Sequence, residues 1–380
     1  MKILHLGKFY SPFRGGMETV LQNLLEGLLD EGLQVRSIVS SHDGPQREEA
    51  IGGPVSGRKG VLIRAERIAT LHSQPINPSL PVLLLRQIRQ FRPHLVHLHL
   101  PNPLALAVWD GLSRLAPDRM PRLAIWHHAD ITRQKLGASL LQPWQMGIYR
   151  RCCGVCVSSR GLAGASPYLR SLESKVTVIP FGIAGSPWRQ VRSTYAEGFL
   201  FVGRLVPYKG LKVLLDAVAL CGPEVRLKVV GEGPLERWLR RRVQAPDLQG
   251  RVRFLGALPD DELARQMSGA TGLVLPSLDA SETFGLVQLE AMAAGLPVVA
   301  SDLPTGVPDV GQDGLTGTLV PPGDARALAR ALSDLARHRG RARAMGERGR
   351  ERFAELYTRQ AMSRRVVRWY EKILNSEVAS

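Results

Sequence analysis

The chain has 380 residues, of which 44% are hydrophobic and 22% are charged. That length fits about two domains, and that composition excludes a disordered or fibrous protein. The net charge of +16 at pH 7 suits an anionic partner, which could be a nucleic acid, an anionic membrane surface or a phosphorylated small molecule. The amino terminus is too short and interrupted for a signal peptide, and no run reaches the roughly 20 apolar residues of a membrane span. We therefore expect a cytoplasmic protein, or one held peripherally on the inner face of the cytoplasmic membrane.

Short apolar strands alternate with amphipathic helices through the first half of the chain. This alternation is typical of βαβ units and predicts a parallel sheet. Residues 45–60 are rich in Gly, Pro and charge, which predicts a loop. The predicted strands are 3–6, 35–39, 61–68, 95–100, 122–126, 155–158 and 176–179, and the predicted helices are 17–28, 83–91, 103–116, 138–151 and a helix from 161.

The pattern lapses at residues 182–197, which we interpret as a linker, and it restarts at residue 199. The sequence therefore predicts two doubly wound α/β domains, with ligands bound at the carboxyl ends of the strands. Residues 324–376 are predicted to be almost entirely helical. The further predicted strands are 199–203, 227–230, 252–255, 273–275 and 298–300.

Two glycines, Gly15 and Gly16, separate the first strand from the first long helix. Glycine lets a backbone approach a ligand closely, and a helix N-terminus favours anions. The full dinucleotide fingerprint of three spaced glycines is absent, which disfavours a dehydrogenase. A tight turn without a ligand explains the pair equally well.

A second strand-to-helix loop carries Arg204 and Lys209. The planar guanidinium and the ammonium five residues later are suited to a diphosphate. The alternative is a solvated basic loop.

The most informative segment is residues 281–300, where Glu282 lies in a loop after a strand and Glu290 inside an apolar helix. An unpaired carboxylate is costly in apolar surroundings, which indicates a ligand or a structural Arg as the partner of Glu290. If all eight steps were helical, they would span about 12 Å. Two carboxylates at that spacing could accept hydrogen bonds from hydroxyls at both ends of a sugar nucleotide.

His127, His128 and Asp130 follow a first-domain strand. Either histidine could contact a reacting sugar and Asp130 could orient it, although a satisfied polar strand end is the alternative. His97 and His99 share one face of another strand, and with His127 and His128 they could suggest a metal site, but no carboxylate or Cys pattern supports one. The four cysteines are interpreted as reduced, mostly buried thiols.

Together these motifs resemble the GT-B glycosyltransferases, specifically glycosyltransferase family 4 (group 1). The resemblance covers residues 1–370 and is strongest over 199–322. Relatives often read His-Ser-Asp-Ile where this chain has His-Ala-Asp-Ile at 128–131, so the register favours His128 and leaves His127 open. The matching elements are Gly15-Gly16, Gly203-Arg204 with Lys209-Gly210, Glu282 with Glu290, Gly295-Leu296-Pro297-Val298-Val299-Ala300-Ser301, and Asp313-Gly314 with Gly317-Thr318-Leu319-Val320.

The resemblance implies two Rossmann-like domains facing a cleft: an acceptor-binding domain at 1–185 and a nucleotide-sugar-binding domain at 198–358. A helix at 359–380 would cross back to the first domain. It also implies a retaining transfer that needs no metal or cofactor, with a GDP- or UDP-linked sugar as donor and a glycan or lipid-linked acceptor. Such a reaction would serve surface polysaccharide, lipopolysaccharide or glycolipid synthesis.

The family further implies a role for each matching residue. Arg204 and Lys209 would bind the diphosphate, and Glu290 the ribose. Glu282 and His128 would contact the donor sugar. Backbone amides near Phe284, Gly285 and Leu286 would bind phosphate oxygens.

Residues 134–151 form a basic helix with aromatic residues, which could dock on an anionic membrane. A core helix with a solvated basic edge is the alternative. Two other functions remain open from the sequence: a two-domain sugar-nucleotide epimerase, and a non-enzymatic basic protein that binds a polyanion or a membrane.

Overall fold

The computed structural model describes residues 1–13, 15–71, 74–130, 135–188 and 198–376, except the side chains of 135–141. The chain divides into two compact units. The first comprises Met1–Ser158, Ser166–Gly182 and Arg359–Ser380, and the second comprises Ser159–Ala165 and Ile183–Thr358. Among the described residues, no helix is both long enough and apolar enough to cross a membrane.

The first unit is built on an eight-stranded sheet in the order β10-β9-β8-β7-β1-β2-β4-β3. All its neighbours pair in parallel except β3, which runs antiparallel to β4 at one edge. The ten strands of this unit, numbered along the whole chain, are β1 Lys2–Leu6, β2 Gln34–Ser40, β3 Arg47–Gly52, β4 Lys59–Ala65, β5 Ala69–Leu71, β6 Gln74–Ile76, β7 Leu95–Leu100, β8 Arg122–His127, β9 Gly154–Val157 and β10 Val176–Val178.

Helices cover this sheet because each presents an apolar stripe at helical spacing; in the first helix Val20, Leu21, Leu24, Leu25 and Leu28 are buried. The helices of the unit are α1 Gly16–Asp30, α2 Leu80–Phe91, α3 Pro103–Leu115, α4 Lys135–Arg151 and the last helix of the chain, α13 Arg359–Asn375.

Helix α13 packs against α1 at very short range. A Cβ added to Gly27 would lie 2.9 Å from the Cβ of Ser363, so only glycine allows this approach. An ion pair at 2.7 Å between Arg359 and Glu26 holds the same contact, with both side chains largely shielded from solvent. The carboxy-terminal helix therefore completes the core of the first unit.

The second unit has a six-stranded parallel sheet in the order β13-β12-β11-β14-β15-β16. Its strands are β11 Phe199–Val202, β12 Leu227–Val230, β13 Val252–Gly256, β14 Gly272–Leu275, β15 Val298–Ser301 and β16 Gly317–Val320. Its helices are α5 Arg160–Ala165, α6 Leu211–Leu220, α7 Glu236–Arg242, α8 Asp260–Ser268, α9 Val287–Ala293, α10 Val307–Val310, α11 Ala325–Arg337 and α12 Arg339–Arg352, followed by a π-helical turn at Phe353–Tyr357.

The two parallel-sheet units confirm the predicted fold class, but the local prediction for residues 45–60 is wrong. Residues 45–60 are not all loop, since β3 pairs there with β4 and its residues alternate between partly buried and exposed as far as Ile51, which is buried. The hairpin of β5 and β6 and the short Gly-led strand β16 were not predicted. Of the predicted linker 182–197, residues 189–197 lie outside the described part of the chain.

The strand orders fix where ligand-binding loops can lie. In the first sheet the order reverses between β1 and β7, and in the second between β11 and β14. At such a reversal the loops after neighbouring parallel strands diverge and leave a crevice at the carboxyl edge. The glycine pair follows β1, Asp130 follows β8, and the segments with Arg204 and Glu282 follow β11 and β14.

Candidate functional site

In the second unit, the loops after β11 and β14 are joined through their backbones. The amide of Leu278 donates to the carbonyl of Tyr208 at 2.8 Å. Gly210 has a φ of 70°, and a Cβ added there would lie 1.8 Å from the carbonyl oxygen of Pro276. Glycine is thus required at this position for two reasons, the positive φ angle and the close approach of the Pro276 carbonyl.

This junction brings Lys209 to Glu282. The ammonium of Lys209 and the hydroxyl of Ser277 at 2.9 Å both donate to Oε2 of Glu282. The side chains of Lys209 and Glu282 are only 12% and 9% exposed. Among the described residues, none donates to the other oxygen, Oε1, which therefore remains an acceptor for a ligand. Ser277 was not identified from sequence, although it is the first polar residue after β14.

Around this pair lie further groups suited to an anion. Arg204 is exposed, and its guanidinium contacts no carboxylate among the described residues. Gly285 has a φ of 73°, and a Cβ there would lie 2.6 Å from Leu275. Within the described part of the chain, the amides of Gly285 and Leu286 have no acceptor, as expected just before helix α9.

Phe284 is mainly a packing residue. Its ring is 2% exposed and meets Tyr357 edge-on at 6.3 Å. Its carbonyl accepts from the buried amide of Gln288 at 3.0 Å, which holds the loop against the start of α9. Phe284 therefore fixes the shape of the backbone that carries the two neighbouring amides.

Glu290 lies inside α9, and protein surrounds its carboxyl group although the residue as a whole is not fully buried. Among the described residues, none donates to that carboxylate, so a structural Arg partner is not found there. Burial, and then the charge of Asp260, raises the pKa of Glu290 to about 8. Because α9 begins only at Val287, the 12 Å helical spacing to Glu282 does not apply.

The junction at Gly210 gives a first prediction. We expect Gly210→Ala to lower the free energy of unfolding by at least about 3 kcal/mol, because a left-handed residue costs about 1–2 kcal/mol and the clash with a backbone carbonyl adds to it. Gly314 is the matched control: its φ is 69°, and no atom lies within 4 Å of a Cβ there. Urea denaturation measures the free energy of unfolding of both variants. An equal loss in Gly210→Ala and Gly314→Ala would contradict the prediction.

In the first unit, the glycine pair opens helix α1. Gly15 is extended, and its carbonyl accepts the first helical hydrogen bond, from Thr19 at 3.0 Å. A Cβ at Gly15 would lie 2.2 Å from the carboxylate of Glu18. Burial raises the pKa of Glu18, opposed by Lys8. The glycine therefore makes room for a buried acid at the start of the helix.

Asp130 pairs with His127 and not with His128. Its Oδ1 lies 3.0 Å from Nε2 of His127, outside the direction of the ring N–H, and accepts from Ser166 at 2.7 Å. Burial acts to raise the pKa of Asp130, but His127 and then Ser166 outweigh it and lower the pKa. The other ring nitrogen of His127 lies 2.8 Å from the hydroxyl of Tyr149. Asp130 is thus a close charged neighbour of His127 without a directed hydrogen bond to its ring.

His128 occupies a separate aromatic environment. Its ring is 3% exposed and stacks on Trp126 and Phe181, with centroids 5.6 and 5.4 Å away. Its Nε2 lies 3.0 Å from Nδ1 of His99. Burial, followed by His99 and His127, lowers the pKa of His128 well below the usual value, so the ring is neutral.

The described part of helix α4 faces the protein interior. Trp144 donates to Asp110 at 2.8 Å, Arg151 also pairs with Asp110, and Met146 and Tyr149 are buried. These contacts support a core helix with a basic edge over a membrane-docking helix for residues 142–151. Residue 134 and the side chains of 135–141 lie outside the described part.

The four cysteines are free thiols, as predicted; three are buried and Cys153 is partly buried.

Two family models match consecutive parts of the chain: Glycosyltransferase Family 4 over residues 14–184, and Glycosyl transferases group 1 over residues 189–352. The phosphatidyl-myo-inositol mannosyltransferase of Mycobacterium leprae is 32% identical over 336 residues, covering 85% of this chain and 84% of that protein. The O-antigen chain mannosyltransferase C of Escherichia coli is 29% identical over 391 residues, covering 99% of this chain and all of that one.

Among solved structures, Anabaena HepE in complex with UDP superposes with a TM-score of 0.78 at 19% identity, covering 98% of this chain and all of that one. That likeness identifies the fold as GT-B. The fold and the matches together define a glycosyltransferase. The chain belongs to the group 1 glycosyltransferases of family 4.

Proposed function

We propose that the protein transfers a mannosyl group from a nucleoside diphosphate mannose to a hydroxyl of a glycan or lipid-linked acceptor, with retention of configuration and without a metal. The observation that carries the donor site is Glu282, whose Oε2 is held by Lys209 and Ser277 while Oε1 stays open. The open oxygen of this carboxylate can accept a hydrogen bond from a sugar hydroxyl, and the unpaired amides nearby can donate to the adjoining phosphate.

In this proposal the charges of the donor are matched one by one. Arg204 and the remaining N–H groups of Lys209 neutralise the diphosphate, together with the amides of Gly285 and Leu286. Glu290 accepts both ribose hydroxyls, which supply the partners that its carboxylate lacks within the described part of the chain. Two cations at the diphosphate provide the charge that a metal ion supplies in other transferases.

The transfer step breaks the bond between the anomeric carbon and the phosphate oxygen and forms a bond from that carbon to the acceptor oxygen. The proton of the acceptor hydroxyl passes to the leaving phosphate, on the same face of the sugar. The site cations stabilise the charge that develops on this leaving group. His128 contacts the donor sugar near the anomeric carbon.

The sugar and the acceptor class come from the relatives. The two named above are a mannosyltransferase of O-antigen chains and a mannosyltransferase of phosphatidyl-myo-inositol. One name refers to a glycan chain and the other to a lipid, and we extend mannose and that acceptor class to this chain.

We expect the purified protein to use GDP-mannose, to form a product with the anomeric configuration of the donor, and to keep its rate within about twofold in excess EDTA. Proton NMR of the anomeric signal during the first turnovers reads the configuration. UDP-glucose serves as the matched donor control, since UDP is the nucleotide in the HepE structure. An inverted product or a rate abolished by EDTA would contradict the corresponding part of the proposal.

A further inference from the structure

Three histidines of the first unit, His5, His99 and His128, contact one another in a row through their ring nitrogens, and we call this row the relay. His5 lies on β1, His99 on β7, and His128 directly after β8. Nδ1 of His5 is 3.1 Å from Nε2 of His99, and Nδ1 of His99 is 3.0 Å from Nε2 of His128. All three rings are at least 97% buried. The sequence analysis grouped His99 with His128 only as part of a metal site that the sequence did not support.

Each end of the relay has one ring nitrogen without a hydrogen-bond partner among the described residues. Within the described part of the protein, Nε2 of His5 and Nδ1 of His128 are buried and have no hydrogen-bond partner. Since Nε2 of His128 is occupied by His99, Nδ1 is the ring atom of His128 that remains for a ligand.

Burial keeps the three rings neutral. It lowers the pKa of His5 and His128 well below the usual value and that of His99 to about 3. A neutral imidazole carries one N–H and one bare nitrogen. Two contacts among three neutral rings therefore allow only two arrangements, in which all the N–H groups point toward His128 or all point toward His5.

We propose that His99 and His5 are positioning residues that fix His128 as the Nδ1–H tautomer, so that His128 offers a hydrogen-bond donor to the sugar substrate. His5 donates from Nδ1 to His99, and His99 donates from Nδ1 to Nε2 of His128. The hydrogen bond from His128 to the sugar substrate rests on the proposed function, whereas the tautomer of His128 does not.

The direction follows from the donor that each arrangement leaves unpaired. In the reverse arrangement Nε2 of His5 carries an N–H that is buried without an acceptor among the described residues. A buried unsatisfied donor costs about 1–3 kcal/mol. In the arrangement toward His128, Nε2 of His5 is a bare nitrogen, and the N–H without a protein acceptor belongs to Nδ1 of His128, where a substrate hydroxyl can accept it.

His97 supplies a matched control. It lies two residues before His99 on the same face of β7, is fully buried, and stacks on the same Trp126 at 5.7 Å, against 5.9 Å for His99. Its Nδ1 contacts the hydroxyl of Tyr370 at 2.5 Å and no ring nitrogen of the relay. Changing His97 therefore disturbs the same packing without breaking the chain of contacts.

The first experiment reads the tautomer without turnover. The protein is labelled with ¹⁵N-histidine, and the His128 signals are assigned as those missing in His128→Asn. We expect Nδ1 of His128 to give a protonated-nitrogen shift and Nε2 a bare-nitrogen shift. In His99→Phe the tautomer should move toward Nε2–H, which free histidine prefers, and in His97→Phe it should not change.

Steady-state kinetics then test whether the N–H group of His128 acts on the sugar substrate. We expect His99→Phe to lower kcat about 10- to 100-fold with KM changed less than threefold, and His97→Phe to keep kcat within about threefold. His99→Asn should recover most of the loss, because its amide can donate to Nε2 of His128. Circular dichroism and thermal melting identify any variant that fails to fold, in which case His99→Asn carries the test.

An Nε2–H tautomer of His128 in the wild-type protein would overturn the proposal. So would an unchanged tautomer in folded His99→Phe, or stoichiometric zinc in the purified protein. Ligand nitrogens of His5, His97 and His99 lie within 4.8 Å of one another, and a metal would need the bare nitrogens that these contacts use. If the tautomer is as stated and no sugar is transferred, the relay stands and the proposed function fails.

Discussion

We expect Glu282→Gln to lower kcat/KM for the nucleotide sugar by about 10³-fold. The substitution removes the charge that pairs with Lys209, whose side chain is only 12% exposed. Breaking one partner of such a buried pair costs about 3–5 kcal/mol, because the other charge remains without compensation. The open oxygen of Glu282, which we assign to a sugar hydroxyl, also loses its charge. Steady-state kinetics at saturating acceptor measure the effect.

Two further variants separate the catalytic role from the structural one. Glu236→Gln breaks an exposed pair with Arg240 in the same unit and should leave kcat/KM unchanged. Adding Lys209→Met to Glu282→Gln removes the unpaired cation, so it should recover thermal stability but not activity. A single Glu282→Gln variant with kcat/KM within threefold of wild type would refute the assignment.

The second large effect concerns Glu290 and pH. The pKa of this acid is raised in the folded protein to about 8, so the folded state binds its proton more tightly than the unfolded state does. The free energy of unfolding should therefore fall as the pH rises from about 4.5 to about 8, by up to about 5 kcal/mol from this group. We expect Glu290→Gln to remove that fall and to be the more stable protein at pH 8.

Donor binding should show the opposite dependence on pH. An ionised carboxylate accepts ribose hydroxyls best, so binding is expected to release the proton of Glu290 and to strengthen up to tenfold per pH unit between about 6 and 8. A nucleotide sugar is the right probe, since its diphosphate does not titrate in that window. Calorimetry should find a weaker and pH-independent affinity for Glu290→Gln, whereas Glu262→Gln, at a partly exposed position, should behave as wild type. An equal pH slope in wild type and Glu290→Gln would exclude the role.

Sequence patterns predicted the fold well where periodicity was strong. The βαβ alternation identified both sheets, and helix α1 follows the spacing of its buried leucines. Strand β3 was missed because its Gly- and charge-rich surroundings are typical of a loop, and only pairing with β4 makes it a strand. Short strands such as β16, with a Gly at its start, depend on neighbours more than on local preference.

The sequence identified individual residues of the candidate site but not the contacts between them. Spacing identified Lys209 and Glu282, which lie 73 residues apart, yet their pairing depends on the adjacency of β11 and β14 and on the close approach at Gly210. In the same way, His5 and His99 meet only because β1 and β7 are neighbours in the sheet. Asp130 lies beside His127 and not beside His128, which the spacing of these residues does not predict.

The packing of α13 on α1 also determines the order in which the halves of this protein mature on the ribosome. Residues 183–358 are translated, and can close their own core, before the helix that completes the first unit has emerged. The first unit is therefore synthesised first but completes its folding last, when α13 packs on α1. A premature stop codon after residue 358 would strip the earliest-made half of its final helix while sparing the later one.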